Sequence, residues 1–202
     1  MKPEKEQEHE ASLAIWDVPS RAVMSRRFKL KVGAKCSAGC LLAGREVEVF
    51  DETGATVAGA KLGETPWLGT TGLFWADVDL TAPATEGVYS WSATFASSPH
   101  QAASSSFSFL TVKPPEHTVT IRVVDRDTEA PVADVAVRLG VYRAFTDEDG
   151  LARLETAKGT YELTIHKVDY ESISRSVEVT RDLNVEVEVW FAPKPTEEPY
   201  WG

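Results

Sequence analysis

Three groups of side chains in this chain have the types and spacing that chemistry requires. Cys36 and Cys40, in KCSAGC, are its only two cysteines, and His9, His100, His117 and His166 its only histidines. Asp147, Glu148 and Asp149 crowd the stretch TDEDGLARL. Tyr142, Tyr161 and Tyr170 lie in the same region as His166. Each group makes a checkable demand. A four-ligand zinc site shows two cysteine pairs, or histidines at close spacing. The histidines here are scattered and none neighbours the pair, so no metal and no cofactor is expected; the cysteines read as a reduced pair in a cytosolic chain, or as a short-loop disulfide under oxidising conditions. A calcium loop of the EF-hand type requires an oxygen ligand four residues before Asp149 and a glutamate six residues after Gly150. The chain has Phe145 and Thr156 there. The carboxylate triplet therefore reads as a turn, with Asp147 accepting backbone N–H groups and Gly150 taking the positive φ.

No serine or cysteine nucleophile motif and no glycine-rich phosphate loop is present, and no catalytic residue is expected. The formal net charge of -10, from 21 basic and 31 acidic residues, opposes binding to phosphate backbones, so nucleic acid is not an expected partner. Residues 1–113 hold 11 basic and 13 acidic side chains and residues 114–202 hold 10 and 18, which puts most of the acidity in the second half. No run reaches the roughly 18 apolar residues of a spanning helix, and membrane insertion is not expected. MKPEKEQEHEAS has no apolar h-region. The chain reads as soluble and cytoplasmic, or extracytoplasmic if a leader has been removed.

The elements that would position these residues are strands. Phe28, Leu30 and Val32 alternate with Lys29 and Lys31, and Val47 and Val49 with Glu46 and Glu48. Tyr89, Trp91, Ala93 and Phe95 alternate with Ser90, Ser92 and Thr94. Period two means one buried and one wet face. DETG, GTTG and TAPATEG supply turns between them. Alternation stops at TVKPPEHT, whose adjacent prolines cannot sit in a central strand, and restarts at Val119, Ile121 and Val123. An all-β chain of two tandem β-sandwiches is predicted. Residues 1–11 read as a disordered acidic segment, 12–113 as a sandwich, 114–117 as a linker, 118–192 as a second sandwich and 193–202 as a tail.

The first sandwich looks immunoglobulin-like or fibronectin-like by strand pattern alone. The second carries motifs. Pro131, Val132, Val135 and Val137 form P-V-x-x-V-x-V; Thr146, Asp147 and Gly150 form T-D-x-x-G; Gly159, Thr160, Tyr161 and Leu163 form G-T-Y-x-L; Tyr170 supplies a late aromatic. Residues 118–192 thus resemble the carboxypeptidase regulatory-like, or transthyretin-like, β-sandwich, with Asp169 where that family usually has glycine. The resemblance implies a structural or adhesive appendage. Two enzyme families share the topology. Hydroxyisourate hydrolases end in a Y-R-G-S-like tetrapeptide, whereas this chain ends PYWG, with Trp201 in the arginine's place. Intradiol dioxygenases hold iron with two tyrosines and two histidines, and His166 has no second histidine close in sequence. The resemblance implies no enzyme activity here.

Binding is left to the aromatics. Trp91 reads as core. Trp67 lies in a turn-rich loop, where it either offers a platform or folds over its own sandwich. Trp75 shares a strand face with Asp77 and Asp79 and reads as outward. Tyr200 and Trp201 end the chain after two prolines, in the manner of a docking peptide. SRRFKLKVGAK reads as a solvated strand face. Trp67, Trp75, Tyr200 and Trp201 are therefore the partner-binding candidates of a non-catalytic accessory subunit of a larger protein assembly. The alternative is a surface-displayed adhesive or carbohydrate-binding module. Because the acid triplet lacks ligand spacing, millimolar calcium is expected to leave the melting temperature unchanged; a rise of several degrees reversed by chelator would refute the turn assignment.

Overall fold

A computed structural model describes residues 9–97 and 100–192. The chain divides into two compact units, Met1–Lys113 and Pro114–Gly202, with the division at the predicted Pro-Pro boundary. Every regular element among the described residues is a strand, and no helix there is long and apolar enough to cross a membrane.

In the first unit β1 (Ala11–Trp16), β3 (Arg27–Cys36) and β6 (Phe74–Thr81) form one sheet, in the order β1-β3-β6. β2 (Arg21–Val23), β4 (Glu46–Phe50), β5 (Thr56–Lys61), β7 (Gly87–Phe95) and β8 (Ala103–Val112) form the other, in the order β2-β8-β7-β4-β5. Alternation delivers Leu30, Val32, Ala34, Val78 and Leu80 from the first sheet to a common core with Val47, Val49, Trp91, Ala93 and Phe95 from the second. Trp91 is buried as predicted, and its indole N–H donates to Glu52 Oε2 at 2.8 Å. The predicted disordered start is too long. Ala11 already belongs to β1 and His9 forms a parallel bridge with His100, because each supplies backbone groups the other end needs.

In the second unit β9 (His117–Asp125), β12 (Leu151–Thr156) and β15 (Leu183–Val189) form a sheet in the order β12-β9-β15. β10 (Ala136–Leu139), β11 (Tyr142–Phe145), β13 (Gly159–His166) and β14 (Ile173–Val179) form one in the order β11-β10-β13-β14. Val119, Ile121, Val137, Leu139, Leu163 and Ile165 fill the space between. β9 starts one residue inside the stretch read as a linker. The chain is thus an all-β protein of two β-sandwiches in tandem.

The carboxylate triplet is a turn. Asp147 Oδ1 accepts the N–H groups of Asp149 at 3.1 Å and Leu151 at 2.9 Å, and the Gly150 N–H donates to the Asp147 carbonyl. The same device recurs at Asp51 and at Asp125, whose carboxylates accept N–H and hydroxyl groups from Thr53 and Thr128 and are held below the usual carboxylate range by them. Thr146 is buried; its hydroxyl donates to the Val132 carbonyl at 2.7 Å and accepts the Val135 N–H at 2.9 Å. That explains the threonine of the motif. Asp169 takes the left-handed conformation at φ 65°, which aspartate tolerates better than most side chains.

Gly150 is required twice over, by a φ of 71° and because a Cβ there would lie 2.5 Å from the Val123 carbonyl oxygen. Gly150→Val is expected to cost the second unit about 3 kcal/mol. Thr146→Val, nearly isosteric, strands a buried donor and acceptor at about 2 kcal/mol. Chemical denaturation followed by β-sheet circular dichroism measures both, and an unchanged midpoint for either contradicts its assigned role.

Candidate functional site

The outer face of the β1-β3-β6 sheet holds the first candidate site. Antiparallel register places Ala14 opposite Gly33, Trp16 opposite Lys31, and Gly33 opposite Trp75. Since Leu13 and Ile15 pack on the core, Trp16 points the other way, and Trp75 does so as predicted. The loop between β5 and β6 then folds back. Trp67 N–H donates to the Leu73 carbonyl at 2.8 Å, while the Thr70 N–H and hydroxyl donate to the Trp67 carbonyl. This seats the Trp67 ring 5.1 Å from Trp16 and 5.0 Å from Trp75, edge to face in both cases. Trp16 and Trp75 lie 6.4 Å apart. Lys31 Nζ sits 5.9 Å from the Trp75 ring centre. All three indoles remain partly exposed, and Leu68 beside them is 95% exposed.

Trp67 thus packs against the outer face of its own sandwich and stays partly exposed. Trp16 was missed. Its signal was a glycine diagonal to it on the neighbouring strand: a Cβ on Gly33 would lie 3.0 Å from Trp16 Cη2 and Cζ3, so the ring needs a bare strand position. The lysines of the predicted solvated face pair in register with the next strand, Lys29 with Asp79 and Lys31 with Asp77, at 3.7 and 3.8 Å. Asp17 also bonds Lys31, and that hydrogen bond raises the Lys31 pKa. Tyr200 and Trp201 lie outside the described residues.

A second grouping corrects the expectation that the cysteines lack ligand partners. His9, Cys36, Cys40 and His100 each offer one ligand atom, and the four atoms lie within 4.8 Å of one another. Linear distance concealed this. β3 ends at Cys36, and a turn through Gly39, at φ 72°, returns Cys40 to it. Ser37 N–H donates to the Glu10 carbonyl and Gln101 N–H to that of His9, which docks both histidine segments on the turn. His9 Nδ1 is 3.0 Å from Cys40 Sγ, and the Ala38 N–H donates to Cys36 Sγ at 3.4 Å. His100 Nδ1–H donates to the Ser97 carbonyl at 2.8 Å, which leaves a lone pair on Nε2. That Nε2 is buried without a hydrogen-bond partner among the described residues. Burial pushes the Cys36 thiol up, but hydrogen bonds from the Cys40 backbone and side chain and from the Ala38 N–H outweigh it and bring Cys36 down to about 6. Its hydrogen bond to Cys36, more than burial, pushes Cys40 up.

A third grouping is chemically plain. His117, Glu155 and Asp182 line an open pocket in the second unit, with His117 Nδ1 3.6 Å from Asp182 Oδ1 and no serine or cysteine among the lining residues.

No family model matches the chain, and no curated protein matches it. Among solved structures it is similar to the major pilin subunit BcpA of Bacillus cereus, at 9% identity over 92% of this chain and 71% of that one, with a TM-score of 0.34. The pilus 2b backbone protein of group B streptococcus matches at 14% identity over 89% and 98%, TM-score 0.34. Trypsin-activated alpha-2-macroglobulin of Escherichia coli matches at 9% over 90% and 15%, TM-score 0.36. The likeness is one of β-rich architecture.

Filling the bare position under Trp16 tests the aromatic face. Gly33→Val is expected to leave the sandwich folded but lift the ring, with red-shifted tryptophan emission and increased acrylamide quenching. Emission identical to the parent protein would mean that Gly33 does not seat Trp16.

Proposed function

We propose that this protein is a non-catalytic binding module, an accessory subunit that docks onto a larger protein assembly through the tryptophan-covered face of its first sandwich. The observation that carries this reading is the partly exposed triad of Trp16, Trp67 and Trp75 with the exposed Leu68 next to Trp67 in the chain. A buried sheet face needs no outward tryptophans, and three together on a wet face form the kind of patch that protein partners cover. Their mutual angles of 76°, 86° and 49° favour a protein over a sugar, since no two rings lie coplanar as a flat platform for a pyranose. The second unit we read as a carboxypeptidase regulatory-like domain serving as a spacer. Thr146, Gly150 and the left-handed Asp169 support that reading, each meeting the mechanical demand of the motif position it occupies.

Leu68→Asp is the cleanest test, because the side chain packs on nothing that folding requires. The endogenous protein is expected to elute in a high-mass complex on native size exclusion. Leu68→Asp and Trp67→Ala are each expected to weaken the association about 30-fold, the equivalent of ~2 kcal/mol, with Leu68→Asp leaving the melting temperature unchanged. An endogenous protein that elutes as a lone monomer, or a complex insensitive to both changes, overturns the proposal.

A further inference from the structure

We propose that His9, Cys36, Cys40 and His100 form a structural zinc site that locks one end of the first sandwich. Two thiolates and two imidazoles are a donor set that suits zinc in a tetrahedral geometry. With Zn–S bonds of about 2.3 Å and Zn–N bonds of about 2.0–2.1 Å, the ligand atoms of such a site lie about 3.3–3.8 Å apart. The four atoms here lie within 4.8 Å of one another, so the longest edge contracts by about 1 Å and the 3.0 Å edge between His9 Nδ1 and Cys40 Sγ lengthens by about 0.5 Å to complete the tetrahedron.

The surroundings are those of ligands rather than of ordinary side chains. Cys36 is 1% exposed and His100 is 9% exposed. A buried imidazole nitrogen without a partner is costly, and a metal ion satisfies His100 Nε2 where no described protein group does. The bond from His100 Nδ1–H to the Ser97 carbonyl is the outer contact that orients a ligating imidazole and sets its tautomer. The Ala38 N–H does the equivalent for the Cys36 sulfur. Binding would displace the thiol protons of Cys36 and Cys40 to solvent. All four positions are taken by protein, which leaves none for substrate, so the role is structural. The ligands come from the position two residues before β1, the end of β3 and the residues after it, and the connection into β8. The ion therefore ties the three-stranded sheet to the five-stranded sheet, as the inter-sheet disulfide does in antibody domains.

The test uses the full chain without an affinity tag, produced in zinc-supplemented medium and purified without chelator. Elemental analysis is expected to give one zinc per chain. Replacement by Co(II) is expected to give the intense visible bands of a tetrahedral thiolate site. Cys40→Ser and His9→Asn, both at half-exposed ligands, are each expected to lose the metal while keeping the β-sheet circular dichroism spectrum. His166→Asn, in the other unit, is expected to retain it. Chelator is expected to lower the melting temperature of the parent by roughly 10 °C and to leave the two ligand variants unmoved. A chain that carries no metal and shows no tetrahedral cobalt spectrum overturns the proposal. So does a native Cys36–Cys40 disulfide with chelator-insensitive melting, or a stoichiometric metal other than zinc.

Discussion

The alternation of side chains along β3 is the constraint on which the first unit depends. Inward, Leu30, Val32, Ala34 and Cys36 are buried; outward, Lys29, Lys31, Gly33 and Lys35 follow the opposite face. A shift of one residue would reverse both sets, exposing the core and burying three lysines, so the register is strongly specified. Everything of functional interest hangs from those two rows. Cys36 continues the inward row to the metal-ligand cluster, and Gly33 interrupts the outward row to admit Trp16. Lys29 and Lys31 are matched by Asp79 and Asp77 directly across the ladder. Pairing of this exposed kind adds little stability, but it opposes the like-charge contacts that a slipped register would create.

Around these strands, the turns repeat one local solution. Asp51, Asp125 and Asp147 each accept backbone N–H groups two to four residues ahead. The excess of acidic residues in a chain of net charge -10 is therefore partly turn chemistry rather than a signal for a cationic partner. A carboxylate that fastens its own backbone has little lone-pair capacity left for an ion.

What was legible in the sequence was what is local. Period-two alternation located the strands, TVKPPEHT located the division between units, and residue types located the Asp147–Gly150 turn, because each depends on neighbours a few positions away. Trp75 was placed on the outer face by counting. The metal-ligand cluster was illegible for the opposite reason. His9 is 31 residues from Cys40, and their meeting depends on β1 lying antiparallel to β3 and on the β7–β8 connection closing over them. Scatter along the chain is no evidence of separation in a sandwich, whose strand ends gather loops from distant segments at each pole. Trp16 was missed similarly, as its partner Trp67 lies on a loop whose path follows from glycine geometry and a few backbone bonds.

The two sites are joined by one weakly held element. β1 is an edge strand that pairs with β3 alone, from Ala11 opposite Cys36 to Trp16 opposite Lys31. His9 precedes its first residue and Trp16 is its last, so the proposed zinc site and the tryptophan face clamp the strand at its two ends. Edge strands fray from their termini, and a strand of six residues has few bonds to lose before it detaches. Fixing the His9 end removes fraying from one side and leaves Trp16 as the only free terminus, held by its contact with Gly33 and the Trp67 ring. An exposed edge also invites pairing with another chain, and an anchored, short strand limits that hazard. On this reasoning the ion acts on the binding face without touching it: loss of the metal would loosen β1 from its start, and fraying that ran the length of the strand would release the Trp16 indole at its far end.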